Sequence, residues 1–354
     1  MDSKRFDRWT PTIAPSRRVL LGGIAGVTLG GLLGSRAEGV AAAPATPTAA
    51  RTQKRLAKQS VLKVGLKWIE SQQQADGSFL DPNAASQSDP VPPTVGTTAS
   101  VVSLLIALRN AGLDVETDEA VAYLQQANSA VWDTMAGVLG GYGGIAQVVM
   151  ALVAAGADPR DVGGVDLVAR LTGSWDAKTG VYGSLLLESA LVVMALAAVG
   201  AAIEVKAIPT IVAAQIADGS WGYAGTTDPG SGDAGSTAYV VQALVAAGHG
   251  DDKGIGKAVA FFRAVQFQGR EFAPIPDYIP DPNTTGLVLS ALIAVGENPK
   301  AKKWGDPVSG LLEYQNDSGG FRTSTDGDPT EDLGSTIAAL TALAGAFLPV
   351  LPVP

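Results

Sequence analysis

Gln215-Ile216-Ala217-Asp218-Gly219-Ser220-Trp221 reads as a tight turn closed by a large ring. Shortly after it, Ser236-Thr237-Ala238-Tyr239-Val240-Val241-Gln242-Ala243-Leu244 reads as the opening of a helix that is apolar on nearly every side. This pair decides the fold because versions of it recur. The clearest marker is Ala-Leu followed four residues later by glycine, at Ala107-Leu108, Ala151-Leu152, Ala195-Leu196, Ala243-Leu244 and Ala291-Leu292. A sixth copy, Ala342-Leu343, has Phe347 in place of the glycine. The leucines are spaced by 44, 44, 48, 48 and 51 residues, a period that belongs to repeat architectures.

Each apolar run predicts a buried helix of about 12–14 residues, stopped by a glycine that takes a left-handed backbone without penalty. Ser, Thr and Asp open most of the runs, as at Ser189, Ser236-Thr237, Thr284-Thr285 and Ser335-Thr336, where they can cap free backbone N–H groups. Ahead of most runs lies a more amphipathic segment. In Val61–Gln72, Leu62, Leu66 and Ile69 share one stripe while Lys63, Lys67 and Glu70 share another. The unit is therefore an outer amphipathic helix, an aromatic-bearing turn and an inner apolar helix. Six units predict an all-α fold, an α/α toroid with an inner apolar ring and an outer amphipathic one. An open superhelical stack is the alternative. Closure is favoured because six units suffice and the inner helices lack the polar face of an open groove.

The turn carries a pattern, Gln-x3-Gly-x-aromatic. It stands at Gln73, Gly77 and Phe79, at Gln215, Gly219 and Trp221, and at Gln315, Gly319 and Phe321; a decayed copy ends at Trp175, and a weaker one holds Gln266, Gly269 and Phe272. This resembles the repeat of squalene/hopene cyclases and protein prenyltransferase β subunits over roughly residues 60–347. The resemblance implies that the Gln and the ring tie each turn to neighbouring helices, as scaffold rather than chemistry.

The resemblance also sets chemical demands. Squalene-type cyclases protonate an alkene with an acid in an Asp-x-Asp-Asp cluster opening an inner helix, and no such cluster stands in this sequence. The nearest equivalents are Asp233 and Asp332, each of which can equally cap its helix. Cyclase cavities are lined with rings that stabilise cations; here Tyr239 alone lies well inside an inner run, with Tyr223 and Tyr278 in turns that could rim one mouth. Prenyltransferases hold zinc with Asp, Cys and His. The chain has no cysteine and one histidine, which excludes that site, a cysteine nucleophile, disulfides and an ordinary Ser-His-Asp triad. Asp326, Asp328, Glu331 and Asp332 form a dense oxygen cluster, open to reading as a calcium site or a solvated acidic turn.

The formal charge of −9 argues against nucleic acid as a partner. Residues 1–45 resemble a twin-arginine export signal: Arg17-Arg18, a glycine-interrupted apolar run to Leu33, and an Ala43-Pro44-Ala45 step. The run is too short to span a membrane. Without residues 1–45 the chain keeps 19 basic and 31 acidic residues, a net of −12. Residues 46–59 read as a linker, 60–348 as the toroid and 349–354 as a Pro-rich tail. The chain is therefore expected to be exported to the periplasm, cell surface or exterior, without a membrane span after signal removal. The first functional expectation is a non-catalytic toroid that binds an apolar small molecule, isoprenoid-like or a corrinoid, with no cofactor. The alternatives are a divergent terpene cyclase-like enzyme using Asp233 or Asp332 as acid, and an envelope interaction scaffold.

Overall fold

The computed structural model describes residues 59–80, 93–324 and 330–352. The signal and nearly all of the linker, together with Asp326 and Asp328, lie outside the described residues. Thirteen α-helices run through them. The inner series is α2 (Pro93–Asn110), α5 (Gly141–Ala154), α7 (Leu186–Ala198), α9 (Ala234–Ala246), α11 (Pro282–Ala294) and α13 (Leu333–Leu343). The outer series is α1 (Gln59–Ser71), α3 (Asp118–Gln125), α6 (Leu167–Gly173), α8 (Ala207–Ala213), α10 (Lys253–Ala264) and α12 (Pro307–Leu312), with an extra helix α4 (Ser129–Ala136) in the second unit. Two two-stranded ribbons sit in the turns: β1 (Trp175–Asp176) with β2 (Val181–Tyr182), and β3 (Phe321–Arg322) with β4 (Glu331–Asp332).

The inner helices close a ring. Each packs on the next, α2 on α5, α5 on α7, α7 on α9, α9 on α11 and α11 on α13, and α13 returns to α2. In α7 every residue from Leu186 to Leu196 is buried, and α11 is buried from Thr284 to Ala294. Such helices cannot stand alone in water; they are held by the ring and by the amphipathic helices outside it.

The repeated turn locks this arrangement in two directions. Towards its own inner helix, the backbone N–H of the aromatic residue donates to a hydroxyl in the helix's first turn. Phe79 donates to Thr98 (2.9 Å), Trp221 to Thr237 (2.9 Å), Phe272 to Thr285 (3.0 Å) and Phe321 to Thr336 (2.9 Å). In the third unit this place is taken by Tyr182, whose N–H donates to Ser189 Oγ at 3.1 Å. Trp175 is half-buried there and leans on the Tyr182 ring at 5.0 Å. Towards the next unit, the Gln amide reaches a carbonyl at the following outer helix: Gln215 to Gly254 O (2.7 Å) and Gln266 to Trp304 O (2.8 Å). Gln315 of the last unit reaches Val61 O of the first at 3.4 Å, so the outer layer closes as well.

The motif glycines are required twice over. Gly77, Gly219 and Gly319 have φ of +85°, +95° and +108°. A Cβ on each would lie 2.4, 2.4 and 2.2 Å from the carbonyl oxygen of Glu119, Lys257 and Val64 on the next outer helix. Only glycine satisfies both the left-handed backbone and that approach.

Candidate functional site at the amino-terminal mouth of the ring

The inner helices all start at one mouth, where the longer turns gather. Beyond the opposite mouth the connections are short. Three consecutive inner helices open with the same device. Asp233 accepts from Ser236 N (2.8 Å) and Ser236 Oγ (2.7 Å). Asp281 accepts from Thr284 N (2.7 Å) and Thr284 Oγ1 (2.8 Å). Asp332 accepts from Ser335 N at 2.6 Å. These are helix N-caps, in which a carboxylate satisfies orphan N–H groups and faces the positive end of the helix dipole. The acids at Asp233 and Asp332 are thus committed to the scaffold.

Asp281 does not stand out in the sequence, yet the structure makes it the distinctive acid of the mouth. Burial lifts its carboxyl above the ordinary aspartate range, and the neighbouring charge of Asp332 adds to the lift. Its signal in the sequence is the pattern Asp-x-x-Ser/Thr-Thr, shared by Asp233, Asp281 and Asp332. None of the three copies carries an Asp-x-Asp-Asp cluster.

Glu188, near the start of α7, is a second acid that the sequence patterns do not single out. It is 1% exposed and accepts from Tyr142 N at 2.7 Å and Ser184 N at 2.6 Å. Helix α5 begins at Gly140-Gly141 with no side-chain cap of its own, and Glu188 supplies one from the next unit. Burial raises its carboxyl pKa, and the backbone N–H bonds of Ser184, Tyr142, Leu185 and Gly143 oppose the rise.

Below the rim, partial exposure inside the inner helices follows a rule. Ser100 on α2, Gln147 on α5, Tyr239 on α9, Asn283 on α11 and Ile337 on α13 are half-buried, as are Gly96, Thr97, Tyr142 and Gly334 nearer the helix starts. All lie within about the first two turns of their helices, a depth of about 11 Å. Below them the helices are sealed until the last turn. These five positions, four of them with hydrogen-bonding side chains, mark the candidate cup at this mouth. The expectation that the inner helices lack a polar face is corrected here to this extent: Ser100, Gln147, Tyr239 and Asn283 are only half-buried in otherwise apolar helices and escape a hydrophobicity reading. Helix α7 contributes little, because the 222–225 turn covers its start and Tyr223 O accepts from Leu187 N at 3.1 Å.

Tyr239 points along the face it shares with Gln242, and desolvation pushes its hydroxyl up to about 12, so it stays neutral. On the rim Tyr223, Tyr278 and Ile279 are exposed, the last two at 43% and 64%. Among the described residues no group of three or more His, Asp or Glu could hold a metal ion. Glu331 is engaged by Trp68 Nε1 and Ser318 Oγ. No helix of the described residues is long and apolar enough to cross a membrane.

A ring of six inner helices, an outer ring and Gln-to-next-unit ties define the class: this is the α/α toroid fold of type II terpene cyclases. Among solved structures the chain is similar to the type II terpene cyclase MstE from Scytonema, in a variant form with geranylgeranyl dihydroxybenzoate, at 16% identity and a TM-score of 0.57, over 83% of this chain and 98% of that one. It is similar also to a variant of a glycosidase, at 13% identity and a TM-score of 0.57, over 85% and 98% of the two chains. A protein from Actinoplanes matches at 19% identity and a TM-score of 0.52, over 81% and 99%. These likenesses establish the fold, which here carries unlike activities. No protein-family model and no curated protein matches the sequence.

Proposed function

We propose that the protein is an exported binder of an isoprenoid-like molecule with a neutral polar end, held in the cup at the amino-terminal mouth without turnover. The observation that carries this reading is the pairing of a neutral, hydrogen-bonding wall with mouth acids that are occupied as helix caps. Ser100, Gln147, Tyr239 and Asn283 can exchange hydrogen bonds with a hydroxyl or carbonyl, and Tyr278 with Ile279 offers apolar cover to the body outside.

Size favours the isoprenoid over the corrinoid. Six helices at about 9 Å spacing place their axes about 9 Å from the centre, so at the mouth the side chains leave an opening at most about 6–8 Å wide. That admits a single hydrocarbon chain and not a planar macrocycle. Binding would remove apolar surface from water at about 25 cal/mol per Å², so a chain with two or three isoprene units covered has enough to hold it. The test is to purify the exported protein from its own cells, extract it for mass spectrometry, and measure thermal shifts with isoprenoid alcohols. Repeatedly clean extracts together with flat thermal shifts would remove the reading.

One observation favours a second reading, a cyclase-like enzyme. Burial, and secondarily the charge of Asp332, raise the pKa of Asp281, a direction that favours the protonated form a general acid needs. In that reading Asp281 donates a proton to an alkene in the cup, with Asp332 beside it. Incubation of the wild type and Asp281→Asn with oligoprenyl substrates separates the two readings. Product from the wild type alone supports turnover; no product at any chain length supports binding only.

A further inference from the structure

The carboxy-terminal mouth of the ring is closed by the chain itself. Helix α13 lies between α11 and α2, so a segment leaving its end could simply run off the surface. Instead it turns inward. Leu348 N donates to Gln242 Oε1 at 2.8 Å, although Gln242 sits on α9, two helices further round. Three residues on, Leu351 O accepts from Asn110 Nδ2 at 2.9 Å, at the end of α2, directly across the ring from α9. The segment therefore touches two opposed inner helices, α9 and α2, at the lower mouth. Ala344, Ala346 and Val350 are buried within it, and Phe347 and Leu348 pack on the core.

Gln242 shows which way the segment faces. It is 1% exposed, one turn below Tyr239 on the same face of α9. Its Nε2 bonds Ala238 O in its own helix at 3.1 Å, and its Oε1 is met by the tail. A buried amide in an otherwise apolar stretch is costly unless both ends are bonded. Gln242 thus marks the junction between the floor of the cup and the tail beneath it.

We propose that residues 347–351 form a displaceable plug that sets the depth of the ligand cup, and so the length of chain the ring accepts. This rests on the cup being the binding site. With the plug seated, the ring is a blind well about two turns deep. With it withdrawn, the well continues past Gln242 towards the lower mouth. Gln242 and Asn110 tie residues 348–351 to the ring by the hydrogen bonds above. Residues 344–346 cap the end of α13 through Leu340 O, Ala342 O and Thr341 O, whereas 347–351 are otherwise held by apolar contact, which suits a part that can leave without unmaking the helix.

The absence of native cysteine gives a clean test. Gln242→Cys is placed in three chains: full length; ended after Ala346, which keeps the cap of α13; and full length with Phe347→Ser, Leu348→Gly and Val350→Ser, for use if the truncated chain fails to fold. A small water-soluble thiol reagent is added and labelling followed by mass. The proposal expects labelling at least a hundredfold faster when the plug is removed or loosened. Rates within threefold of the full-length chain overturn it. The same tail changes, without the cysteine, are then tested with isoprenoid alcohols of increasing length. A longer limit in the altered chains supports the proposal, and an unchanged limit overturns the depth-setting role. If no chain binds any alcohol, the failure belongs to the cup reading, while the labelling still decides whether the plug exists.

Discussion

Replacing Glu188 by alanine should loosen the ring at one identifiable joint. The carboxylate accepts at 2.7 Å from Tyr142 N and at 2.6 Å from Ser184 N. Gly183 wraps it so closely that a Cβ there would fall 2.3 Å from the carboxyl carbon. Removing the side chain takes the acceptor from the part-buried N–H groups of Tyr142 and Ser184 and leaves a void beneath the 183–185 turn. Bonds to a charged acceptor are worth about 1.5–3 kcal/mol each, and relief of the buried charge offsets part of the loss, so the net cost should be about 3 kcal/mol. Glu188→Gln keeps one acceptor oxygen and should cost about 1–2 kcal/mol. The pH dependence separates charge from shape. Burial raises the folded pKa of Glu188 above the ordinary glutamate value, so the folded state holds this proton more tightly than the unfolded state. Its contribution is fully present below the unfolded pKa and is lost as pH rises through the folded value. Urea unfolding followed by circular dichroism from about pH 4 to 8 should show that fall in the wild type and a flatter profile in Glu188→Gln. A Glu188→Ala chain with the wild-type urea midpoint would refute the trans-capping argument.

Other consequences follow from the same joints. Thr237→Val keeps the shape but strips Trp221 N of its acceptor, and should cost about 1–3 kcal/mol by urea unfolding. Gly319→Ala sets a Cβ 2.2 Å from Val64 O at the closing seam and should cost about 3 kcal/mol or more. Gly164→Ala, with φ +80° and nothing within 4 Å, should cost only about 1 kcal/mol, and equal losses at the two sites would contradict the seam. Asp281→Asn should leave any isoprenoid binding within about threefold, because its carboxylate serves the helix cap; a hundredfold loss would place the acid in the site. If residues 1–45 direct export, Arg17→Lys with Arg18→Lys should hold the protein inside the cell, as read by fractionation.

The ring was legible because its signals are local and repeated. A helix-stopping glycine after Ala-Leu and a Gln-x3-Gly-x-aromatic turn report helix ends directly, and six copies fix the closure. The site was not legible for the opposite reason. Its wall takes one polar residue from each of several helices, Ser100, Gln147, Tyr239 and Asn283, and each looks incidental within an apolar run. The acids divided the same way. Asp233 and Asp332 stand out beside small residues, whereas Asp281, flanked by Pro280 and Pro282, reads as part of a loop; only depth in the mouth distinguishes it. The third unit's aromatic shows a local limit as well. Trp175 follows the expected Gly-Ser, but a two-stranded ribbon inserts before the helix, and the bond to Ser189 passes to Tyr182. Glu188 could have been suspected from a lone acid inside the most apolar run, which demands a partner. One of its partners, Tyr142, lies 46 residues away in the preceding unit, beyond any local pattern.

The most direct measurement is a calorimetric titration of a farnesyl-length alcohol into the wild type and into Ser100→Trp, whose bulk fills the cup on the side of α2. The account predicts micromolar binding to the wild type, a negative heat-capacity change from buried apolar surface, and no detectable binding to a folded Ser100→Trp chain. Equal binding by both chains, or none by the wild type, would contradict it.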